Sequence, residues 1–435
     1  MIRIVDAETR AGKRELEILL KSRRGASLDF TTLKQILPVV EDVLRKGEPA
    51  LRRWVKRFEP SSSLSKKIFF DLSSEKPPQI DRAFAAAFRL ARRRIEAYHR
   101  RQLVSASSGF SFRDPFGVSF VERPVPFDSV GVYVPGGLAF YPSSLLMGVV
   151  PARVAGVPRV VVATPRGAWA ESPELRWAAA EMGVDEVLLA GGAHGIAGLV
   201  SVAGVAKIVG PGNRFVAAAK HLVSGLVAVD MPAGPSEVLI VASDDADPAL
   251  VAADLLAQAE HDDDAVCLLF SDSKSFAFEV RTSVVSQWNA LGSFSLKGNG
   301  ATARASLRRH GRIFTFKEIS SAVSAGSRIA AEHVQVMGRR AERLSSSLLT
   351  TAGAVFVGSS TPTALGDYVL GPNHVLPTGG AARSFSGLSV RDFLRWGRSV
   401  SAPAKAARRL APQAAVLARF EGLVAHARAL DRRAL

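Results

Sequence analysis

Gln258 and His261 stand three residues apart near the end of an apolar stretch that reads as a helix over residues 248–261. That spacing puts both side chains on one helical face, a workable half-site for a metal ion. From the spacing alone, a satisfied surface histidine reads equally well. Glu332 and His333 place an acid beside a base in AEHVQ, although neighbours within a strand would point to opposite faces. Asp367, in ALGDY, and His426, in EGLVAH, are further candidate donors that spacing does not unite. Three glycine-rich turns, VPGG, AGGAHGIAG and VGPGN, each follow a short apolar run. Glycine between a strand and a helix lets the backbone approach a phosphate and aims helix N–H groups at it. None of the turns matches G-x-G-x-x-G, so a dinucleotide held there would not be held in the standard Rossmann manner. Cys267 is the only cysteine, which excludes an intramolecular disulfide and a thiolate-only zinc site. Inside the apolar run 265–270 it reads as a space-filling residue rather than a nucleophile.

Such residues need a scaffold, and the chain is long enough to build one. Its 435 residues are 47% hydrophobic and 22% charged, which suits two or more globular units and argues against wholesale disorder. No apolar run reaches the roughly 18–20 residues that cross a bilayer. The start, MIRIVDAETRAGKRELEILL, has no apolar core of a signal peptide, and its acids argue against a transit peptide. The expectation is a soluble, cytoplasmic protein. A net charge of +16 raises a nucleic-acid reading. The basic residues are scattered in short clusters, such as Arg92, Arg93 and Arg94, without interleaved aromatics. Solvated helix faces account for them better.

The first hundred residues read as helical. Apolar residues recur at helical spacing over 40–58, split by Gly47 and Pro49, and again from Asp81, a suitable N-cap, through Tyr98. Residues 61–65 and 105–109 read as loops. From Ser129 the pattern becomes strand–helix alternation, with strands at 130–134, 159–163, 186–190 and 206–209 and helices at 143–155, 173–182, 194–202 and 214–223. A second series has strands at 236–242, 266–270, 312–316 and 354–357. Apolar strands separated by helices indicate βαβ units on parallel sheets. The expected fold is therefore α/β: two adjacent parallel-sheet, incomplete Rossmann-like units with a helical C-terminal arm. The expected divisions are a helical region over 1–128 packing on the second unit, α/β units over 129–232 and 233–380, and an arm over 381–435 without strands. That arm has little core of its own and must pack on the body or on another subunit.

The runs VGVYVPGG, PSSLLMGVVPARVAG, KIVGPGN, DMPAGPSEVLIVA, AADLLAQAEHD, AEHVQ, TPTALGDYVLGPNHVLPTGG and EGLVAH resemble those of histidinol dehydrogenase, in order and at the expected separations from about residue 38 to 426. The resemblance implies an NAD-dependent oxidation of L-histidinol to L-histidine through histidinaldehyde, the last step of histidine biosynthesis. It implies one zinc ion bound by Gln258, His261, Asp367 and His426, with Glu332 and His333 as the catalytic pair. Ser236, His333, His374, Glu421 and the zinc ligands would surround the substrate. Tyr133, His194 and Asn213 match NAD-contacting positions, which puts the cofactor on the first α/β unit and the metal and catalytic residues on the second. It also implies a homodimer with shared active sites, and neither a membrane nor a nucleic acid is expected as a partner.

The chemistry of these residue types suits that scheme. Zinc takes nitrogen and oxygen donors, and histidinol offers an imidazole and an amine. A histidine titrating near neutrality can take the alcohol proton while hydride leaves. Glu332 suits activation of the water that hydrates the aldehyde before the second hydride leaves. The chain departs from the family where His194 replaces glutamine, Ala331 replaces proline, and Gly326 stands near a usual asparagine. Those changes bear on cofactor affinity and preference, and leave the metal set and the acid–histidine pair complete. The rival readings are a paralogue oxidising another small polar alcohol, such as a sulfonated propanediol, and a basic nucleic-acid-binding protein that has lost catalysis.

Overall fold

The protein is described from a computed structural model, over residues 2–23, 29–59, 67–136, 141–231, 234–291 and 299–434. Its strands are β1 (Arg3–Asp6), β2 (Phe69–Asp71), β3 (Phe110–Arg113), β4 (Ser119–Pro126), β5 (Ser129–Tyr133), β6 (Arg159–Thr164), β7 (Glu186–Leu189), β8 (Lys207–Val209), β9 (Ala228–Val229), β10 (Glu237–Ala242), β11 (Val266–Ser271), β12 (Arg312–Thr315), β13 (His333–Met337), β14 (Ala354–Val357) and β15 (Leu394–Ser401). They form two six-stranded sheets, ordered β2-β7-β6-β5-β8-β9 and β1-β12-β11-β10-β13-β14, and a three-stranded sheet β15-β4-β3. Every pairing in the six-stranded sheets is parallel except β2 with β7. The chain is thus two parallel α/β units with a helical C-terminal region.

The central strands show why. All six residues of EVLIVA in β10 are buried, because helices cover a parallel sheet on both faces. Val238 and Ile240 pack against Val251 and Leu255 of helix Pro248–Ala259. Leu239 and Val241 face the opposite core, with Val323 and Ile329 of helix Ile319–Ile329. Each such side chain contributes roughly 1.5–3 kcal/mol by leaving water. In the first unit Val130 and Val132 of β5 pack with Leu145 and Val149 of helix Pro142–Ala155.

The N-terminal region divides between the units. Among its described elements, only β1 and helix Arg10–Ser22 join the second one, β1 by pairing with β12. Helices Phe30–Lys46 and Glu48–Phe58 deliver Ile36, Val40, Leu51 and Val55 to the first unit. Helix Arg82–Ala106, capped by Asp81 as its sequence predicts, delivers Phe88 and Ile95 to that unit's other face. The expectation that 1–128 packs on the second unit is therefore corrected: apolar stripes on these helices match the faces of the first sheet. Gly47, at φ +61°, makes the break between the first two of them. The loop expected at 61–65 lies outside the described residues.

Seven of the strands, β1 to β4, β9, β13 and β15, fall where the sequence showed none, four of them inside the region read as helical. Residues 69–71 add β2 to the edge of the first sheet, antiparallel to β7. HVQVM forms β13 at the heart of the second sheet; its polar His333 and Gln335 break the continuous apolar run by which buried parallel strands are recognised. The arm is not wholly helical, since β15 pairs antiparallel with β4 from Leu394–Pro126 to Ser401–Ser119. Its LRWGRSVS is polar and largely exposed, as an edge strand can be. Segment 375–393 also belongs to the first unit's core, through Val375, Leu388 and Phe393. Beyond it, helices Ala404–Phe420 and Val424–Ala434 make extensive contact only with each other, fastened by an Arg419–Asp431 ion pair of 2.6 Å. Among the described residues no helix is long and apolar enough to cross a membrane.

Candidate active site

The heads of β10 and β13 lie side by side, with Val238 opposite His333, so Glu237 and Glu332 meet just before the paired ladder. Glu332 Oε2 accepts the Glu237 N–H at 2.8 Å and stands 3.6 Å from His333 Nδ1. The strand alternation that would separate acid from base does not apply, because Glu332 precedes β13 rather than lying within it. His333 Nδ1 is 3.3 Å from the Glu237 carbonyl. A carbonyl only accepts, so Nδ1 carries the proton and Nε2 is the ring's working nitrogen. Nε2 faces Asp367 Oδ1 at 3.7 Å. Burial pulls the His333 pKa down, yet Glu332 and then Asp367 outweigh it and hold the imidazole at about 9.

Asp367 comes from the short helix Thr363–Tyr368, against which helix Pro248–Ala259 packs. His374 donates from Nδ1 to the Asp367 carbonyl at 2.8 Å, with Asp367 Oδ1 3.9 Å away. Burial dominates at His374 and pushes its pKa below the usual value. Two histidines beside one aspartate are thereby driven in opposite directions. His374 is held from the first unit, because its neighbour Asn373 donates to the Met147 carbonyl of helix Pro142–Ala155 at 2.7 Å. Gln258 ends the long helix buried, its Nε2 without a hydrogen-bond partner, and His261 follows it, exposed. Ser236 is half-buried just before β10, its carbonyl accepting from Val266 N–H at 3.0 Å.

In the first unit Tyr133, His194 and Asn213 gather at the C-terminal edge of the sheet, where open α/β sheets bind ligands. The tyrosine hydroxyl, its pKa raised by burial, accepts the Gly192 N–H at 2.9 Å. Asn213 caps helix Arg214–Val223 through Phe215 and Val216 N–H. The VGPGN turn is braced from below: Asp230 accepts the Gly210 N–H at 2.7 Å and pairs with buried Lys220 at 2.6 Å. Gly210 is required there, at φ +120° with the Tyr133 carbonyl where a Cβ would sit.

The AGGAHGIAG turn differs from its reading as a phosphate cradle. Glu59 fills that position, accepting Gly191 N–H at 2.7 Å and Arg166 N–H at 2.6 Å, and meeting His194 Nε2 at 2.8 Å. Of the VPGG turn, Gly137 lies outside the described residues. The next described residue, Tyr141, faces the second unit, its hydroxyl pushed up by burial and by the Asp262 carboxylate beside His261.

Glu421 and His426 are not brought to this cluster within one chain. Both are exposed on the arm, Glu421 at the end of helix Ala404–Phe420 and His426 in helix Val424–Ala434. Among the described residues no group of three histidine, cysteine, aspartate or glutamate side chains is placed to hold a metal ion. Cys267 is fully buried with its thiol pushed up to about 12, so it fills the core. Glu237, Glu59 and Tyr141 were not singled out from the sequence. A glutamate heading the otherwise apolar EVLIVA was the available signal, since a charge buried there needs a partner. Glu59 carried none, because its partners are remote in sequence.

A sequence model of the histidinol dehydrogenase family matches residues 22–434. The chain is 41% identical over 420 residues to histidinol dehydrogenase of Agrobacterium fabrum strain C58, covering 95% of this chain and 94% of that protein. It is 42% identical over 427 residues to histidinol dehydrogenase of Bradyrhizobium diazoefficiens, covering 95% of each. Its fold is similar to that of histidinol dehydrogenase from Elizabethkingia anophelis, with a TM-score of 0.83 at 28% identity over 99% of this chain and 98% of that one. Likeness over nearly the full length, together with the buried acid–histidine pair, defines an α/β oxidoreductase. The chain belongs to the histidinol dehydrogenase family.

Proposed function

We propose that the protein oxidises L-histidinol to L-histidine through histidinaldehyde, with NAD as acceptor and one zinc ion per site, as a homodimer with shared active sites. The observation that carries this reading is the buried Glu332–His333 pair facing Asp367, in a chain of this family. The donor set fits zinc: Gln258 and His261 at one helix end, Asp367 on the helix packed against it, and a buried Gln258 amide, its Nε2 unpartnered, whose oxygen would be the ligating atom. Within one chain that set lacks its fourth member, His426. The exposed arm carries His426 and Glu421 among exposed Val416, Leu417, Phe420 and Val424, Phe420 being 93% exposed. An apolar face of that kind supports delivery of both residues to a second copy.

Zinc held by these donors would orient the substrate's amine and imidazole and offset the Asp367 charge, freeing His333 to act as a base near neutral pH. NAD, beside Tyr133, His194 and Asn213, would accept one hydride in each half-reaction. With Nδ1 committed to Glu237, His333 takes the alcohol proton at Nε2. Glu332, with Oε2 committed to the Glu237 N–H, uses Oε1 to draw a proton from the water that adds to the aldehyde. The resulting monoanion of the aldehyde hydrate, having already given one proton to Glu332, loses the second hydride and one further proton to become the carboxylate. Histidinol, water and two NAD give histidine, two NADH and three protons. The test is the yield of NADH per histidinol consumed in the zinc-loaded protein. Two confirm the reading; one limits it to the alcohol step, and no turnover directs the search to another small polar alcohol.

A further inference from the structure

Glu237 uses its peptide and its side chain in different directions. Its N–H holds Glu332 Oε2 at 2.8 Å, and its carbonyl takes the Nδ1 proton of His333. Its carboxylate points the other way, where Oε1 accepts the Gly379 N–H at 2.7 Å and pairs with the guanidinium of Arg23. Arg23 closes helix Arg10–Ser22, and both side chains of the pair are nearly buried, at 7% and 4% exposure. The Arg23 carbonyl accepts from the guanidinium of Arg383 and presses on Gly380, where a Cβ would collide with it. Three remote segments therefore meet at one carboxylate. Glu237 Oε2 is buried with no partner, so Arg23 is the cation that compensates the charge. Breaking a buried pair from one side strands an uncompensated ion, which strongly favours rearrangement. Burial and the neighbouring Glu332 push the Glu237 carboxyl above its ordinary range, with Arg23 opposing them.

We propose that the buried Arg23–Glu237 pair is a positioning device that fixes the head of β10 so that the Glu237 N–H orients Glu332. Neither residue touches the reacting atoms. Their effect passes through the peptide of Glu237 to one oxygen of Glu332, leaving the other aimed at the water. The inference rests on the role given above to Glu332, and the test separates the two. In a crystal structure of Arg23→Met, the Glu237 N to Glu332 Oε2 hydrogen bond should be lost; its retention overturns the proposal whatever the substrate.

In solution, Arg23→Met should lower kcat for histidinaldehyde oxidation about 10–100-fold, as losses of supporting hydrogen bonds at active sites do. KM for histidinol and bound zinc should change less than about twofold. Arg23→Lys, which keeps the charge, should recover most of the rate. If Arg23→Met does not fold, Glu237→Gln, which keeps the acceptor for Gly379, takes its place in the crystal and in solution. In a Glu332→Gln background either change should cost less than about threefold more, because residues acting through one group are not additive. Full additivity, or loss of zinc and KM together with kcat, overturns the proposal. A Glu332→Gln protein that oxidises the aldehyde normally overturns the role of Glu332 instead, and the crystal structure still decides the positioning.

Discussion

Glu59 Oε1 lies 2.8 Å from His194 Nε2, although the two are 135 residues apart. The carboxylate sits at the head of helix Gly192–Ser201, where backbone N–H groups and the helix dipole favour an anion. Burial raises its pKa, but His194 and the N–H groups of Gly191 and Arg166 outweigh that and hold it below the usual range. The protein has thus supplied its own anion to a turn whose glycines suggest a bound phosphate. His194, the histidine of AGGAHGIAG, is the partner of that anion.

Glu59→Ala should therefore open an anion site. The variant should lose about 1–3 kcal/mol, the cost of leaving buried donors without an acceptor. Phosphate at about 10 mM should raise its Tm by several degrees while leaving the wild type unmoved, as measured by thermal unfolding. An equal response in both proteins would show the helix head open in each.

His333 gives the metal-free protein a pH signature. A folded pKa of about 9 lies above the unfolded value of about 6.5, so this histidine's contribution is complete below pH 6.5 and is lost as pH rises through 9. The difference corresponds to about 3 kcal/mol at most. Denaturant unfolding of metal-free protein between pH 6.5 and 9.5 should show a decline that His333→Gln largely removes. Zinc loading should shift the decline to lower pH, since the cation offsets Asp367. A flat profile in the metal-free wild type contradicts the charge balance around His333.

The proposed zinc donors can be tested apart from turnover. His261→Asn and His426→Asn should each abolish bound zinc, measured by elemental analysis, and abolish activity. Far-UV circular dichroism should stay unchanged, because both side chains are exposed and neither joins a core. Full metal occupancy in either variant removes that residue from the site.

Much of the fold was legible because burial on both faces leaves a plain mark: EVLIVA in β10 is apolar after its first residue, and helices of ordinary length separate such strands. HVQVM escaped because its polar residues His333 and Gln335 break that mark. In the candidate site the motifs delivered Gln258, His261, Glu332, His333 and Asp367, and the fold shows what holds two of them. The bonds that do so are not local: Arg23 reaches Glu237 across 214 positions and Gly379 reaches it across 142. No periodicity or spacing encodes a partner that distant; only the crossing of three segments at the head of a central strand reveals it.

The division of labour within the pair predicts unequal losses. Glu332→Gln should slow histidinaldehyde oxidation far more than oxidation of histidinol to the aldehyde, whereas His333→Ala should harm both. Removal of a general base typically costs about 10²–10⁴-fold. Rapid-quench separation of the half-reactions is the measurement. Small, equal effects of both changes on both halves would refute the assignment.

The arm poses the last question. Its two helices are fastened to each other, and they carry Glu421 and His426 on exposed positions, away from the other expected zinc donors of the same chain. If each arm serves the neighbouring subunit, a site combines Gln258, His261 and Asp367 of one chain with His426 of the other. Inactive His261→Asn protein mixed with inactive His426→Asn protein should then regain activity once subunits exchange. In a mixed dimer one site collects both substitutions and the other collects neither. Random exchange makes about half the dimers mixed, so recovery should approach about a quarter of the wild-type rate, with zinc content rising in parallel. Exchange verified by mass spectrometry of differently tagged chains, with no recovery of either activity or zinc, would show that the arm folds back onto its own body.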